Sequence, residues 1–287
     1  MFIQKFHADG SFERYKGRLV AQGFNQRPGF EYLKVFAPTV HLPTLRIILA
    51  LAVLHDLHLW SVDISHAYFN GEINRDVYME QPEGFAEGNP KKVICKLNKA
   101  VYGMKQGGNR WNRKMRAVLE SMGFKQTYSN AAVYIYTWSD VTIILPVFVD
   151  DMTYASKSLD AIKSTLDKLC KHFKIHDLGP TTEILGLKID RDRSNCLLRL
   201  SQRQYCLEML SRYGMGDCKP VLTSMDPSLC LSRDHGPKTN TLSCNLLTMV
   251  VPLAHCSICP APLAQTLLTL LANSHLSLPI LVWLIGT

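Results

Sequence analysis

From Ile143 to Val149 the chain is apolar without interruption. It then delivers two adjacent carboxylates, Asp150 and Asp151, and continues into a run of apolar and small residues, Met152 to Ala155. A short apolar run without alternation predicts a strand covered on both faces, and the second run predicts its hairpin partner. Upstream, Leu45, Ile48, Leu49, Ala52 and Val53 recur at helical spacing behind Thr44, a candidate cap. Leu57 to Ile64 reads as a strand that carries Asp63 near its end, and Ser65 to Gly71 as a turn into a short helix stopped by Gly71. Short strands are expected at Val77–Met79 and Val93–Leu97. An amphipathic helix enters through Gly107-Gly108 with Trp111 and Met115 on its inner face. Ala132–Trp138 is a further strand, and Ser158–Phe173 a helix. Glu183–Asp190 with Cys196–Leu200 makes a hairpin, and Ser201 with Gln204 a capping box before a helix to Tyr213. Strands and helices in this mixture predict an α+β fold.

The acids give the pattern its chemistry. Two carboxylates at one hairpin tip raise each other's pKa, a cost that a divalent cation removes. A plain acidic turn is the competing reading, since Asp is common in turns. Asp63, 87 positions before Asp150, ends its own strand. If the two strands are neighbours, three carboxylates meet at one sheet edge, enough anionic oxygen for one or two Mg²⁺ ions.

Charge extends the picture. The 287 residues carry 32 Lys and Arg against 24 Asp and Glu, a net charge of +8, which suits a polyanionic partner. Lys105, Arg110, Arg113, Lys114 and Arg116 put five cations within twelve residues, with no acid among them. Such a helix face can track a phosphate backbone or simply be solvated. Lys16 and Arg18, two apart, share a face if the strand after Phe12 runs through both, as a triphosphate contact requires. Nine scattered cysteines and the charged opening Met1–Gly10 argue for a reduced cytoplasmic or nuclear setting over secretion. Cys256 and Cys259 have CxxC spacing without a second pair. From Thr241 to Thr287 there is no Lys, Arg, Asp or Glu. Leu263–Ile285 is long enough to span a membrane, but it contains Gln265, Asn273, His275 and Pro279, and a frameshifted or disordered tail is the expectation for 233–287.

Seven runs, in order, resemble the reverse transcriptase domain of copia-type long-terminal-repeat retrotransposons. They are Arg14–Gly23, Phe36–Val40, Val62–Tyr68, Val77–Phe85, Val101–Gln106, Phe148–Asp151, and Asp177–Gly179 with Leu185-Gly186. The resemblance covers residues 10 to 230. It departs at Gly17 (usually Ala), Phe148 (usually Tyr), Gly108-Asn109 (usually Pro-Arg) and His41 (often Arg). It implies a right-hand polymerase: fingers over 1–60, a palm with an antiparallel sheet over 61–200, and a short thumb over 201–232, in a chain that reads as a fragment. Asp63, Asp150 and Asp151 are then the catalytic triad, and the metal positions are these three with Ile64, for two Mg²⁺ (Mn²⁺ as the substitute). Lys16, Arg18, Tyr68 and Gln106 are implied at the nucleotide, with Tyr68 under the sugar. Lys105, Arg110, Arg113, Leu185 and Gly186 are implied at primer and template. The expected partners are an RNA or DNA template with primer and deoxynucleoside triphosphates, and the expected location is a cytoplasmic virus-like particle or the nucleus. A nucleic-acid-binding remnant without turnover is the alternative from another class.

Overall fold

The structure is a computed structural model, and it describes residues 2–6, 11–82, 84–89 and 93–217. The tail readings, Cys256/Cys259 and Leu263–Ile285 included, lie outside the described residues. In chain order the elements are β1 (Phe2–Phe6), β2 (Phe12–Gly17), α1 (Leu42–Leu54), β3 (His58–Ile64), β4 (Tyr78–Glu80), β5 (Ile94–Lys96) and α2 (Gly107–Ser121). They continue with β6 (Lys125–Gln126), β7 (Val133–Trp138), β8 (Val141–Phe148), β9 (Asp151–Ser156), α3 (Leu159–Cys170) and β10 (Ile175–Pro180). The last are β11 (Glu183–Ile184), β12 (Leu187–Asp192), β13 (Leu197–Ser201) and α4 (Arg203–Arg212). Among the described residues no helix is long and apolar enough to cross a membrane.

Two compact units divide after Pro180. In the first, six antiparallel strands lie in the order β10-β3-β9-β8-β7-β6. One face carries a core of Val62, Ile64, Ile143, Leu145, Val147, Met152 and Tyr154 from the strands. Trp111, Met115 and Leu119 from α2 and Ile162, Leu166 and Leu169 from α3 pack against them. Met152 and Tyr154 point into that core. Alternation therefore turns Thr153 and Ala155, also buried, to the opposite face, where α1 packs on β9. The strand covered on both faces is thus β9. The apolar run before the acids is less enclosed than its sequence suggests: in β8, Ile143, Leu145, Pro146 and Val147 are buried, while Ile144 is half-buried and Phe148 exposed.

Several local expectations are corrected. Helix α1 starts three residues early, with His41 as N-cap and Pro43 in its first turn, where a missing N–H costs nothing. Thr44 instead accepts a hydrogen bond from Asn130 Nδ2 at 3.1 Å. β2 ends at Gly17, so Arg18 lies beyond the strand that was to align it with Lys16. β10 was not foreseen, because His176-Asp177-Leu178-Gly179-Pro180 has little strand character. It survives at an edge, with an irregular register and Pro at its end, the position that tolerates a missing donor.

The second unit, in its described residues, is the β11-β12-β13 sheet and α4. The strand expected over Glu183–Asp190 folds back on itself: Ile184 faces Leu187, and Leu185 (φ 50°) and Gly186 (φ 75°) form the two-residue turn between them. The capping box also fails. Gln202 is the N-cap of α4, Ser201 Oγ accepts from Arg203 N–H at 3.2 Å, and Gln204 reaches Glu208.

Around α2 the first unit is held by backbone-to-backbone packing. The Ala21 N–H donates to the Tyr102 carbonyl at 2.7 Å, and Val20 bridges to Tyr102. Gly103 has φ 89°, and a Cβ there would lie 2.1 Å from the Ala21 carbonyl oxygen. Only glycine meets both conditions. Gly103→Ala is therefore expected to cost about 1–3 kcal/mol. Thermal denaturation measures this, and an unchanged Tm would contradict the close approach of these two segments.

Candidate active site

The site is built by register. β3 and β9 pair so that Asp63 stands directly opposite Asp151, and the Ile64 N–H donates to the Asp150 carbonyl at 3.0 Å. Asp150 occupies the turn between β8 and β9, where Phe148 faces Asp151. A two-residue turn whose first central residue alone has positive φ closes this hairpin, and that residue is Val149, at φ 58°. A β-branched residue in this region is strained by about 1–3 kcal/mol. The turn is pinned from outside, as the Trp111 indole N–H donates to the Val149 carbonyl at 2.6 Å. Trp111, 2% exposed, is both the core anchor expected of it and the support of the acidic tip.

The carboxylates sense one another. Asp151 is solvent-exposed as a residue. Its carboxyl is nonetheless pushed up from 3.8 to about 6, first by lost hydration, then by the charges of Asp150 and Asp63. A set of hard anionic oxygens whose ionised forms oppose each other is the chemistry a divalent cation fits, and Ile64 can add only a backbone oxygen, since its side chain is in the core. Among the described residues, however, no three acidic, His or Cys side chains are gathered as one metal cluster. The backbone brings the three acids together, and the side chains stop short of a coordination shell.

The other sequence-predicted residues divide. Tyr68 is half-buried, its phenol pKa is raised by burial and then by Asp150, and it lines one pocket with Val149 of the acidic turn. Its ring stacks at 4.7 Å on that of Tyr102, which sequence reasoning left without a role. The Arg18 guanidinium lies over the same Tyr102 ring, 5.4 Å from its centroid. The Lys16 side chain lies outside the described positions. Gln106 is 2% exposed; its amide donates to the Glu31 carbonyl at 3.3 Å, while its buried Oε1 has no hydrogen-bond partner. A pocket of about 280 Å³, lined by Tyr68, Met104, Lys105, Gly108, Trp111 and Val149 among others, opens beside the tip. Leu185 and Gly186 belong to the second unit as a turn.

The basic helix face is partly matched. Lys105 Nζ donates to the Tyr32 hydroxyl at 3.3 Å. Arg110 is bonded to Asn74, and its pKa is lowered by burial, then by Arg113 and Arg75. Lys114 pairs with Glu72 at 3.5 Å and Arg116 with Glu120 at 2.7 Å, while Arg113 is exposed. The missing acids came from a distant loop and from the end of the helix.

The family model described as Reverse transcriptase (RNA-dependent DNA polymerase) matches residues 1–227. The chain belongs to the reverse transcriptase family. Among relatives, the Retrovirus-related Pol polyprotein from transposon TNT 1-94 of Nicotiana tabacum is 39% identical over 240 residues, covering 83% of this chain and 18% of that protein. The corresponding polyprotein from transposon RE1 of Arabidopsis thaliana is 36% identical over 238 residues, covering 83% of this chain and 16% of that protein. The Transposon Ty1-BL Gag-Pol polyprotein of Saccharomyces cerevisiae is 35% identical over 201 residues, covering 67% and 11%. This reverse transcriptase domain is therefore of the copia type, an RNA-directed DNA polymerase by ancestry. It spans less than a fifth of the length of these relatives.

A carboxyl whose pKa is higher in the fold than in the unfolded chain holds its proton more tightly when folded. Stability contributed this way falls as pH rises from about 4 to about 6. In EDTA-treated protein the urea midpoint of the wild type should fall relative to Asp151→Asn across that window. A constant difference between the two would contradict the carboxylate crowding.

Proposed function

We propose that this chain carries out template-directed DNA synthesis, joining a deoxynucleoside monophosphate to a primer 3′-hydroxyl with release of pyrophosphate. The observation that supports it most is the pairing of Asp63 with Asp151 across adjacent strands, with Asp150 in the turn beside them. In this reading the three carboxylates would hold two Mg²⁺ ions, and the chemistry such ions would supply is a lowered pKa of the 3′-hydroxyl and neutralisation of the leaving pyrophosphate. The chain's own task is placement. Arg18, with Lys16, takes oxygens of the triphosphate. Tyr68 lies beneath the sugar, and its ring excludes a 2′-hydroxyl. Lys105, Arg113 and the open side of α2 meet the phosphates of primer and template, with Arg110 acting through the Asn74 loop and Leu185-Gly186 at the primer. No side chain needs to attack covalently. The six-stranded sheet with its two-helix core is the palm, residues 1–60 supply fingers, and α4 belongs to a thumb over 201–232.

Asp150→Asn keeps the turn's shape and removes one negative ligand. Primer extension in Mg²⁺ should fall by roughly two to three orders of magnitude, with an unchanged circular dichroism spectrum and intact primer–template binding in a gel shift. Full extension by the variant would refute the assignment. Binding without extension by the wild type would favour a non-catalytic nucleic-acid-binding remnant.

A further inference from the structure

Tyr102 stands where three functional segments meet. Its ring centroid is 4.7 Å from that of Tyr68, with the planes 40° apart, and 5.9 Å from that of Phe69, edge-on. The Arg18 guanidinium carbon lies 5.4 Å from the same centroid, within the range in which a cation is attracted to an aromatic face. The β1–β2 register ends at Gly17, so strand pairing does not orient Arg18. Val20 and Ala21, just after Arg18, are tied instead to Tyr102 itself, through the Val20 bridge and the Ala21 N–H on the Tyr102 carbonyl. The phenol is raised by burial and by Asp150, lowered by Arg18, then raised by Tyr68 and Asp63, so the ring feels the charges of both the cation and the acids.

We infer that Tyr102 is a positioning and specificity-determining residue. Its ring orients the Arg18 guanidinium toward the triphosphate and backs Tyr68 against the sugar, without touching the reacting atoms. This rests on the nucleotide-binding reading proposed above. The ring carries the role and the hydroxyl does not, since both contacts are made through the ring. Loss of the ring therefore weakens nucleotide capture and loosens the choice between deoxy- and ribonucleotide, while the chemical step at the aspartates is spared.

The test uses the full chain extending oligo(dT) on poly(rA) with dTTP or UTP. Tyr102→Leu should raise the KM for dTTP about tenfold and lower the preference for dTTP over UTP about tenfold, with kcat little changed; Tyr102→Phe should stay near wild type. Wild-type KM and preference in Tyr102→Leu would overturn the inference, as would equal impairment of Tyr102→Phe. Thermal unfolding reads the contacts without turnover. Tyr102→Leu combined with Tyr68→Leu, and separately with Arg18→Ala, should give Tm shifts about 2 °C or more from additivity. Additive shifts in both pairs overturn the inference. A wild-type chain that does not extend the primer refutes the polymerase reading instead, and the unfolding pairs still decide the ring's role.

Discussion

One hydrogen bond links the core to the chemistry: Trp111 Nε1–H on the Val149 carbonyl, at 2.6 Å. Val149 is held in a left-handed conformation that a β-branched side chain disfavours, so the turn carries strain that its surroundings must offset. The indole is fixed by burial among Phe173, Met115 and the sheet. It passes that rigidity to the two residues after Val149, which are the acids. The chemistry of a paired-acid tip needs the carboxylates held where their own repulsion would push them apart. Asp151, whose carboxyl is raised to about 6, shows the cost: lost hydration first, then the charges of Asp150 and Asp63.

A second support comes from the other side. The segment after β2 runs backbone against backbone with Tyr102 and Gly103, so close that no side chain fits at Gly103. That contact places the Tyr102 ring against both the Arg18 guanidinium and the Tyr68 ring. Helix α2 begins just after this segment, at Gly107, and supplies Trp111 one turn later. The stretch from Val101 to Trp111 therefore joins the part of the chain that meets the triphosphate in the proposed reading to the turn that carries Asp150.

Much of this was legible in the sequence, for physical reasons. The strand–turn–strand around Asp150-Asp151 declares itself by apolar runs on either side of two charges, and Asp63 by ending a strand of its own. The Trp111 and Met115 face follows from helical spacing. The seven ordered runs named the family before any fold was seen, and the family match over 1–227 bears that out. The features that escaped depend on contacts between distant residues. β10 is a strand because β3 offers it an edge and because Asp177 accepts from Trp60 Nε1 at 2.6 Å, neither of which periodicity encodes. The Tyr102 ring gains its place from Arg18 and Tyr68, far away in sequence. The caps at Thr44 and Ser201 failed because local capping signals do not fix where a helix starts: Pro43 favours an earlier first turn behind His41, and Gln202 takes the place of Ser201.

The central claim of the proposed reading is that Asp63 and Asp151, paired across adjacent strands, and Asp150 in the turn beside them together bind divalent cations. Mn²⁺ binding followed by electron paramagnetic resonance tests it most directly, because it needs neither primer nor turnover. The wild type should bind Mn²⁺ with Mg²⁺ competing for the site, and Asp63→Asn should weaken binding as much as Asp151→Asn, although the two residues lie on different strands. Mn²⁺ binding left intact by Asp63→Asn would contradict the claim and reduce the acidic tip to an ordinary turn.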